Sequence, residues 1–266
     1  MSPELHSYHL SERLTAFSTT RHGGYSKDCY GEFNINCYCG DDVEAIRRNR
    51  QLLCRMLSVP DDRLLMPHQV HGVGILKITP ELMAFSTDTR QQALEGIDAL
   101  MTDVKGVCIG VSTADCIPII IFDPLHAATC VVHAGWRGTV QRITRDAVLA
   151  MVEAYRSEPS QLQAVIGPGI SLEAFEVGDE VWKQFADASF PMEHISCRMH
   201  AMSGGSEQKW HIDLWECNRL QLQSVGVLPQ HIQMSGICTY KHYSDFFSAR
   251  RLGVESGRIY TAAMIN

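Results

Sequence analysis

The residues from Val107 to Ala154 constrain the fold most. Val107, Cys108, Ile109 and Val111 form one apolar run. Ser112-Thr113-Ala114-Asp115-Cys116 interrupts it, and Ile117 to Phe122 forms a second, ended by Asp123-Pro124. These read as two strands around a polar corner. Ala127 to His133, rich in Val and Thr, reads as a third strand. Ala134-Gly135-Trp136-Arg137-Gly138 then leads into a helical segment. Its Val140, Ile143, Ala147, Ala150, Met151 and Ala154 recur at three and four and so share one face. A strand–glycine turn–helix unit beside tightly connected strands predicts an α+β chain with a mixed sheet rather than a doubly wound one.

The remaining segments agree. Residues 42–57 carry Val43, Ile46, Leu53 and Leu57 at helical spacing, and Pro60 beyond them suits a stop. Ala164 to Ile166 reads as a short strand closed by Gly167-Pro168-Gly169. Asp213 with Glu216 resembles a capping box that opens a helix ending near Gly226. Ser203-Gly204-Gly205-Ser206 is the most linker-like stretch, but it is too short to separate domains. The 266 residues contain no repeat, so residues 1–266 are expected to form one domain.

Some function classes lose ground on composition. No apolar run approaches the about 20 residues of a membrane span. Met1 to His6 lacks the basic and apolar pattern of a signal peptide. The net charge of −7 disfavours nucleic acid, whose binders are usually basic. Ten cysteines without a Cys-x-x-Cys pair point to a reducing compartment, the cytoplasm. Cys37 and Cys39 with Cys29 suggest a second metal site, for which no fourth ligand is apparent.

Three clusters carry chemistry. In Pro67-His68-Gln69-Val70-His71-Gly72, the apolar residues that follow (Val73, Ile75, Leu76, Ile78) read as a strand. His68 and His71 are therefore not expected to serve one site together. Asp115-Cys116 sits at a polar corner between core strands, where reactive groups are often held. In the His133 to Gly138 turn, glycines allow close backbone approach. Arg137 stands at a helix start, which attracts anions. His71, Cys116 and His133 together make a set of two imidazoles and one thiolate, the number that leaves catalytic zinc an open position. Spacing alone does not show that they converge.

The chain resembles the YfiH-like laccase-domain family, whose members are called multicopper polyphenol oxidase, purine nucleoside phosphorylase and peptidoglycan editing factor. The resemblance rests on segments spread along nearly the whole chain. They include Thr19 to Gly24, Gly40-Asp41-Asp42, His68 to Gly72, Asp98-Ala99, Thr113 to Pro118, Val132 to Gly138, Ile166 to Ile170 and Cys238-Thr239-Tyr240. It implies a four-layer α/β/β/α sandwich with mixed sheets. It implies zinc, with copper as the alternative, held by His71, Cys116 and His133. It implies phosphorolysis of adenosine, inosine and methylthioadenosine to base plus ribose 1-phosphate, with some adenosine deamination. The implied partners are purine nucleosides and phosphate, and a monomer or small homo-oligomer is expected. Asn34 and Arg50 would line the same pocket. Ala249 stands where the family often has an aromatic residue, and His68 where it often has another polar one.

Phosphorolysis needs an anion held under the anomeric carbon, for which Arg137, Arg50 and Arg21 are candidates. It also needs a proton-transfer group, for which Asp115 or Asp98 is expected. Three other readings compete. A copper polyphenol oxidase with a trinuclear cluster normally uses His-x-His motifs, and none of the twelve histidines is two residues from another. A cysteine hydrolase editing peptidoglycan precursors would use Cys116 with His133 as base. A binding module with structural zinc would need a fourth protein ligand.

Overall fold

The computed structural model describes residues 3–202 and 206–266. Ser203, Gly204 and Gly205 of the linker-like stretch lie outside them. The first strands are β1 (Leu5–Tyr8), β2 (Leu14–Thr19), β3 (Leu64–Leu65), β4 (Ile75–Ile78), β5 (Ala99–Thr102), β6 (Cys108–Thr113) and β7 (Ile117–Asp123). They are followed by β8 (Ala128–Ala134), β9 (Gln163–Ile166), β10 (Glu176–Val177), β11 (Ser196–His200), β12 (Gln208–Ile212), β13 (Ile232–Met234) and β14 (Ile259–Ile265). One sheet has the order β1-β2-β14-β6-β3 and the other β13-β9-β7-β8-β5-β4. Both are mixed: β3 pairs with β6, β4 with β5 and β13 with β9 in parallel, while the central pairs are antiparallel. A small antiparallel sheet, β10-β12-β11, stands apart.

The two large sheets face each other, and strand alternation sorts their side chains. Ile109, Val111, Ala263 and Ile265 of one meet Ile120, Phe122, Val131 and Val165 of the other between the sheets. On the far side of the six-stranded sheet, Ile119, Ile121, Cys130 and Val132 pack under the helices Ile143–Tyr155 and Leu214–Ser224. On the far side of the other sheet, Phe17, Cys108, Tyr260 and Ala262 pack under Leu53 and Cys54 of the helix Val43–Leu57. The order is helix, sheet, sheet, helix, as the α+β expectation and the implied four-layer sandwich require. Strands buried on both faces are why the runs are apolar at consecutive positions instead of alternating.

Local chemistry explains the helix ends. Asp42 caps the helix Val43–Leu57 by accepting from the Ala45 N–H, and Ser58 ends it in the left-handed conformation. Asp213 does the same for Leu214–Ser224 through the Glu216 N–H, at 3.0 Å. Two expectations need correction. The helix after Gly135 is broken into Trp136–Val140 and Ile143–Tyr155, because Arg142 between them takes a φ of 69°. Its guanidinium lies over Phe190 and donates to the Ala188 carbonyl, which holds that break. The polar corner is also shorter than expected. Ser112 and Thr113 still pair with Tyr260 and Ile259, so β6 runs to Thr113. Among the described residues no helix is long and apolar enough to cross a membrane.

Gly110 gives a direct test of the packing. A Cβ there would lie 2.5 Å from Tyr260 Cζ and 2.7 Å from Ala262 Cβ. The Tyr260 hydroxyl is tied to the Leu65 carbonyl at 2.7 Å, so the ring has little room to retreat. Gly110→Ala is expected to lower stability by about 1–3 kcal/mol, read as a lower urea midpoint at unchanged slope.

Candidate metal centre

Alternation and register build the site. Residues 129, 131 and 133 of β8 face the space between the sheets, so His133, next to last in the strand, points there. On β7 the inward positions are even-numbered, and Cys116, one residue before the strand, continues that parity. The pairs Ile117↔Ala134 and Pro118↔His133 set Cys116 and His133 side by side at the same end. His71 arrives from the loop before β4. The ligating atoms of His71, Cys116 and His133 lie within 4.8 Å of one another, and no fourth His, Cys, Asp or Glu joins them among the described residues.

Gly135 makes the approach possible. A Cβ at this position would sit 3.0 Å from His71 Cδ2 and 3.1 Å from Cys116 Sγ. Asp98 orients the rest. Its carboxylate is fully buried and accepts from His133 Nδ1 at 2.7 Å, which leaves Nε2 as the free ring nitrogen. It also accepts from the backbone N–H groups of His71 at 3.0 Å and Gly72 at 2.8 Å. One carboxylate thus holds a histidine ring and the loop carrying the other histidine. His71 itself has a φ of 60° and Asp115 one of 88°, both costly for residues with a Cβ.

The electrostatics favour a thiolate. Burial pushes the Cys116 thiol up, but His133 and then His71 outweigh it and bring it down to about 6. Burial works against the imidazolium of His133, yet the Cys116 thiolate and Asp98 raise it to about 9. Burial likewise penalises the Asp98 carboxylate, and the His133 contact with the Gly72 and Val70 N–H groups overcomes it. Two imidazoles, one ready thiolate and a carboxylate behind one imidazole form a donor set that fits zinc or copper, with one coordination position left to a ligand.

His71, Cys116 and His133 all line a cavity of about 390 Å³. Tyr38 and His68 form part of its wall, their rings stacked 4.3 Å apart. Gln69 is pinned there through both ends of its amide, donating to the Ser112 carbonyl and accepting from the Ser112 N–H. His68 therefore lines the cavity as well, paired to Glu95 at 2.7 Å, although it stays outside the ligand cluster. Among the described residues Arg258 is the one Arg or Lys in the wall, and no carboxylate lines it.

Several expected site residues lie elsewhere. Asp115 does not line the cavity. Its oxygens accept from the Thr239 hydroxyl and the Arg250 N–H, both at 2.7 Å, which anchors the loop before Cys116. Arg50 lines a separate cavity, held by Asp61 and the Leu64 carbonyl. Arg21 donates to the Gly31 and Tyr243 carbonyls and borders a third concavity. Arg137 is exposed against the Trp136 ring, and the helix it starts is a five-residue turn. Asn34 is buried behind the wall, where it accepts from the Asn36 and Arg258 N–H groups. Cys37 is exposed and Cys39 bonds to Asn34 and Asn36, so the Cys29, Cys37 and Cys39 expectation finds no cluster among the described residues. Arg258 and Tyr38 carry no local sequence signal, since only the chain's long-range pairing brings them to the cavity.

Residues 15–266 match the family model described as multi-copper polyphenol oxidoreductase laccase. A purine nucleoside phosphorylase of Bacteroides thetaiotaomicron is 43% identical over 95% of this chain and 92% of its own length. Adenosine deaminase RL5, from an unknown prokaryotic organism, is 40% identical over 94% and 93%. The crystal structure of the hypothetical protein YfiH of Bacillus licheniformis gives a TM-score of 0.89 at 27% identity, covering 100% of this chain and 97% of the other.

Two measurements test this centre. In metal-free protein, Cys116 is expected to alkylate with iodoacetamide with a midpoint near pH 6. The lowered value means the reactive thiolate persists above that pH and is lost as pH falls through it. A midpoint near 9 would remove the imidazole–thiolate coupling. Asp98→Asn is expected to lower metal affinity by roughly 10- to 100-fold, measured by chelator competition.

Proposed function

The chain belongs to the multi-copper polyphenol oxidoreductase laccase family, and from that premise we propose that it is a zinc-dependent purine nucleoside phosphorylase. Adenosine, inosine or methylthioadenosine would react with phosphate to give the base and ribose 1-phosphate. The observation that carries this reading is a cluster of three ligand residues lining a cavity whose described wall has an aromatic face, one guanidinium and no carboxylate. The name of the 43% identical relative supports it. Adenosine deamination at the same cavity is a second reading, favoured by the name of the 40% identical relative.

The roles follow from the chemistry. The Tyr38–His68 pair offers a flat face against which a purine stacks. Gln69, immobilised by Ser112, presents its remaining amide hydrogen in a set direction. His71, Cys116 and His133 would hold the ion, with Asp98 fixing the His133 tautomer. When bound, the ion supplies Lewis-acid polarisation at the position these ligands leave free. Asp98 spends its carboxylate on His133 and the His71 loop, and Asp115 spends its own on Thr239 and Arg250, so neither is available to exchange a proton with substrate.

The competing readings have less support. A trinuclear copper cluster needs more imidazoles than the described residues bring together here. Cys116, His133 and Asp98 do have the order of a nucleophile, base and orienting acid. That reading leaves His71, aimed at the same sulfur, without a task.

Incubating metal-analysed protein with inosine, with and without phosphate, decides among them. Hypoxanthine and ribose 1-phosphate are expected only when phosphate is present, with loss to background on chelation or in Cys116→Ala. Turnover that survives chelation but not Cys116→Ala would instead establish the nucleophile.

A further inference from the structure

We propose that Arg258 and Thr113 form the anion subsite of the cavity and hold inorganic phosphate as the second substrate, an inference that rests on the phosphorolysis reading. Arg258 donates only to main-chain carbonyls, those of Val254, Ser256 and Gly257, apart from one contact with the Ser256 hydroxyl. Among the described residues no carboxylate forms an ion pair with it and none lines the cavity. Carbonyls on both terminal nitrogens fix the guanidinium plane, which suits a ligand with several acceptor oxygens. The Asn34 side chain holds the Arg258 backbone from behind, accepting its N–H at 3.2 Å.

Thr113 supplies an independent observation. Its side chain is 1% exposed and lines the same cavity, yet its hydroxyl oxygen has no hydrogen-bond partner. Buried hydroxyls are normally paired, so an unpaired one on a residue of the cavity wall is a candidate partner for a ligand's polar atom. Alternation on β6 sets Thr113 on the face of Ile109 and Val111, toward the space between the sheets that His133 also faces. Register brings the two residues to one end of the fold, since Thr113 pairs with Ile259, the neighbour of Arg258. A phosphate bound here would accept from the guanidinium and the Thr113 hydroxyl, in a wall whose described residues include no carboxylate. The three arginines expected from sequence to do this work stand on other surfaces.

The test uses the metal-loaded protein with Arg258→Gln, Arg258→Lys, Thr113→Val and Thr113→Ser, after checking that each keeps its metal content. KM is measured separately for phosphate and for inosine, and phosphate binding is measured directly by calorimetry. Arg258→Gln is expected to raise the phosphate KM and the phosphate Kd by roughly 10- to 100-fold, with the inosine KM changing far less. Arg258→Lys should recover part of the loss, because a point charge replaces a fork. Thr113→Val should weaken phosphate by roughly three- to tenfold, with recovery in Thr113→Ser. It should leave the ligand-free melting temperature unchanged or higher, because the hydroxyl it removes has no partner to lose. Unchanged phosphate KM and Kd in Arg258→Gln, or equal rises in both KM values, would overturn the subsite. Phosphate binding that depends on Arg258 without any phosphate-dependent cleavage by the unaltered protein would retain the subsite and reject the phosphorolysis reading.

Discussion

A buried carboxylate holds the site together. Asp98 is withdrawn from water, where an ionised group persists only if its oxygens are fully bonded. It meets that demand with His133 Nδ1 and the N–H groups that lead through His71 to Gly72. The bonds that keep Asp98 charged therefore also keep a loop in an unfavourable conformation and a ring in one orientation. Asp98 thus holds two of the three ligands, His71 and His133, and strand register sets Cys116 beside them.

The cavity follows from how two sheets end. Along their length the inward residues of β6, β14, β7, β8 and β9 fill the gap with branched and aromatic side chains. At one end the same inward positions are occupied by Thr113, Cys116 and His133, which are smaller or polar. The layer that is packed core in the middle becomes a lined space there. The polarity of the site and the packing of the core are two ends of the same alternation, so the chemistry rests on a rigid base.

Legibility varied by residue type, for physical reasons. The helix Val43–Leu57 was readable because its apolar spacing and the Pro60 stop beyond it are local properties. The helix after Gly135 was overextended, because the break at Arg142 depends on Phe190 and Ala188, far along the chain. Ser112 and Thr113 looked like a corner because they are polar, yet they remain in the strand through pairing with β14 at the end of the chain. The arginines were the least legible. A guanidinium on a long flexible stem goes where acceptors are, so Arg50 went to Asp61 and Arg21 to the Gly31 and Tyr243 carbonyls. Arg258 reached the cavity by the same rule, held by carbonyls of its own loop.

By itself the sequence determined the strands β4 and β6 to β9, three of the helices and the types of residue available for chemistry, because periodicity, caps and glycine turns act over a few residues. It also named the two imidazoles and the thiolate. Tertiary structure decided that they meet, that Asp98 stands behind them and that Arg258, rather than any arginine near a motif, shares their cavity. Those outcomes depend on strand register and sheet-on-sheet facing, which couple residues more than a hundred positions apart and leave no mark in any local window.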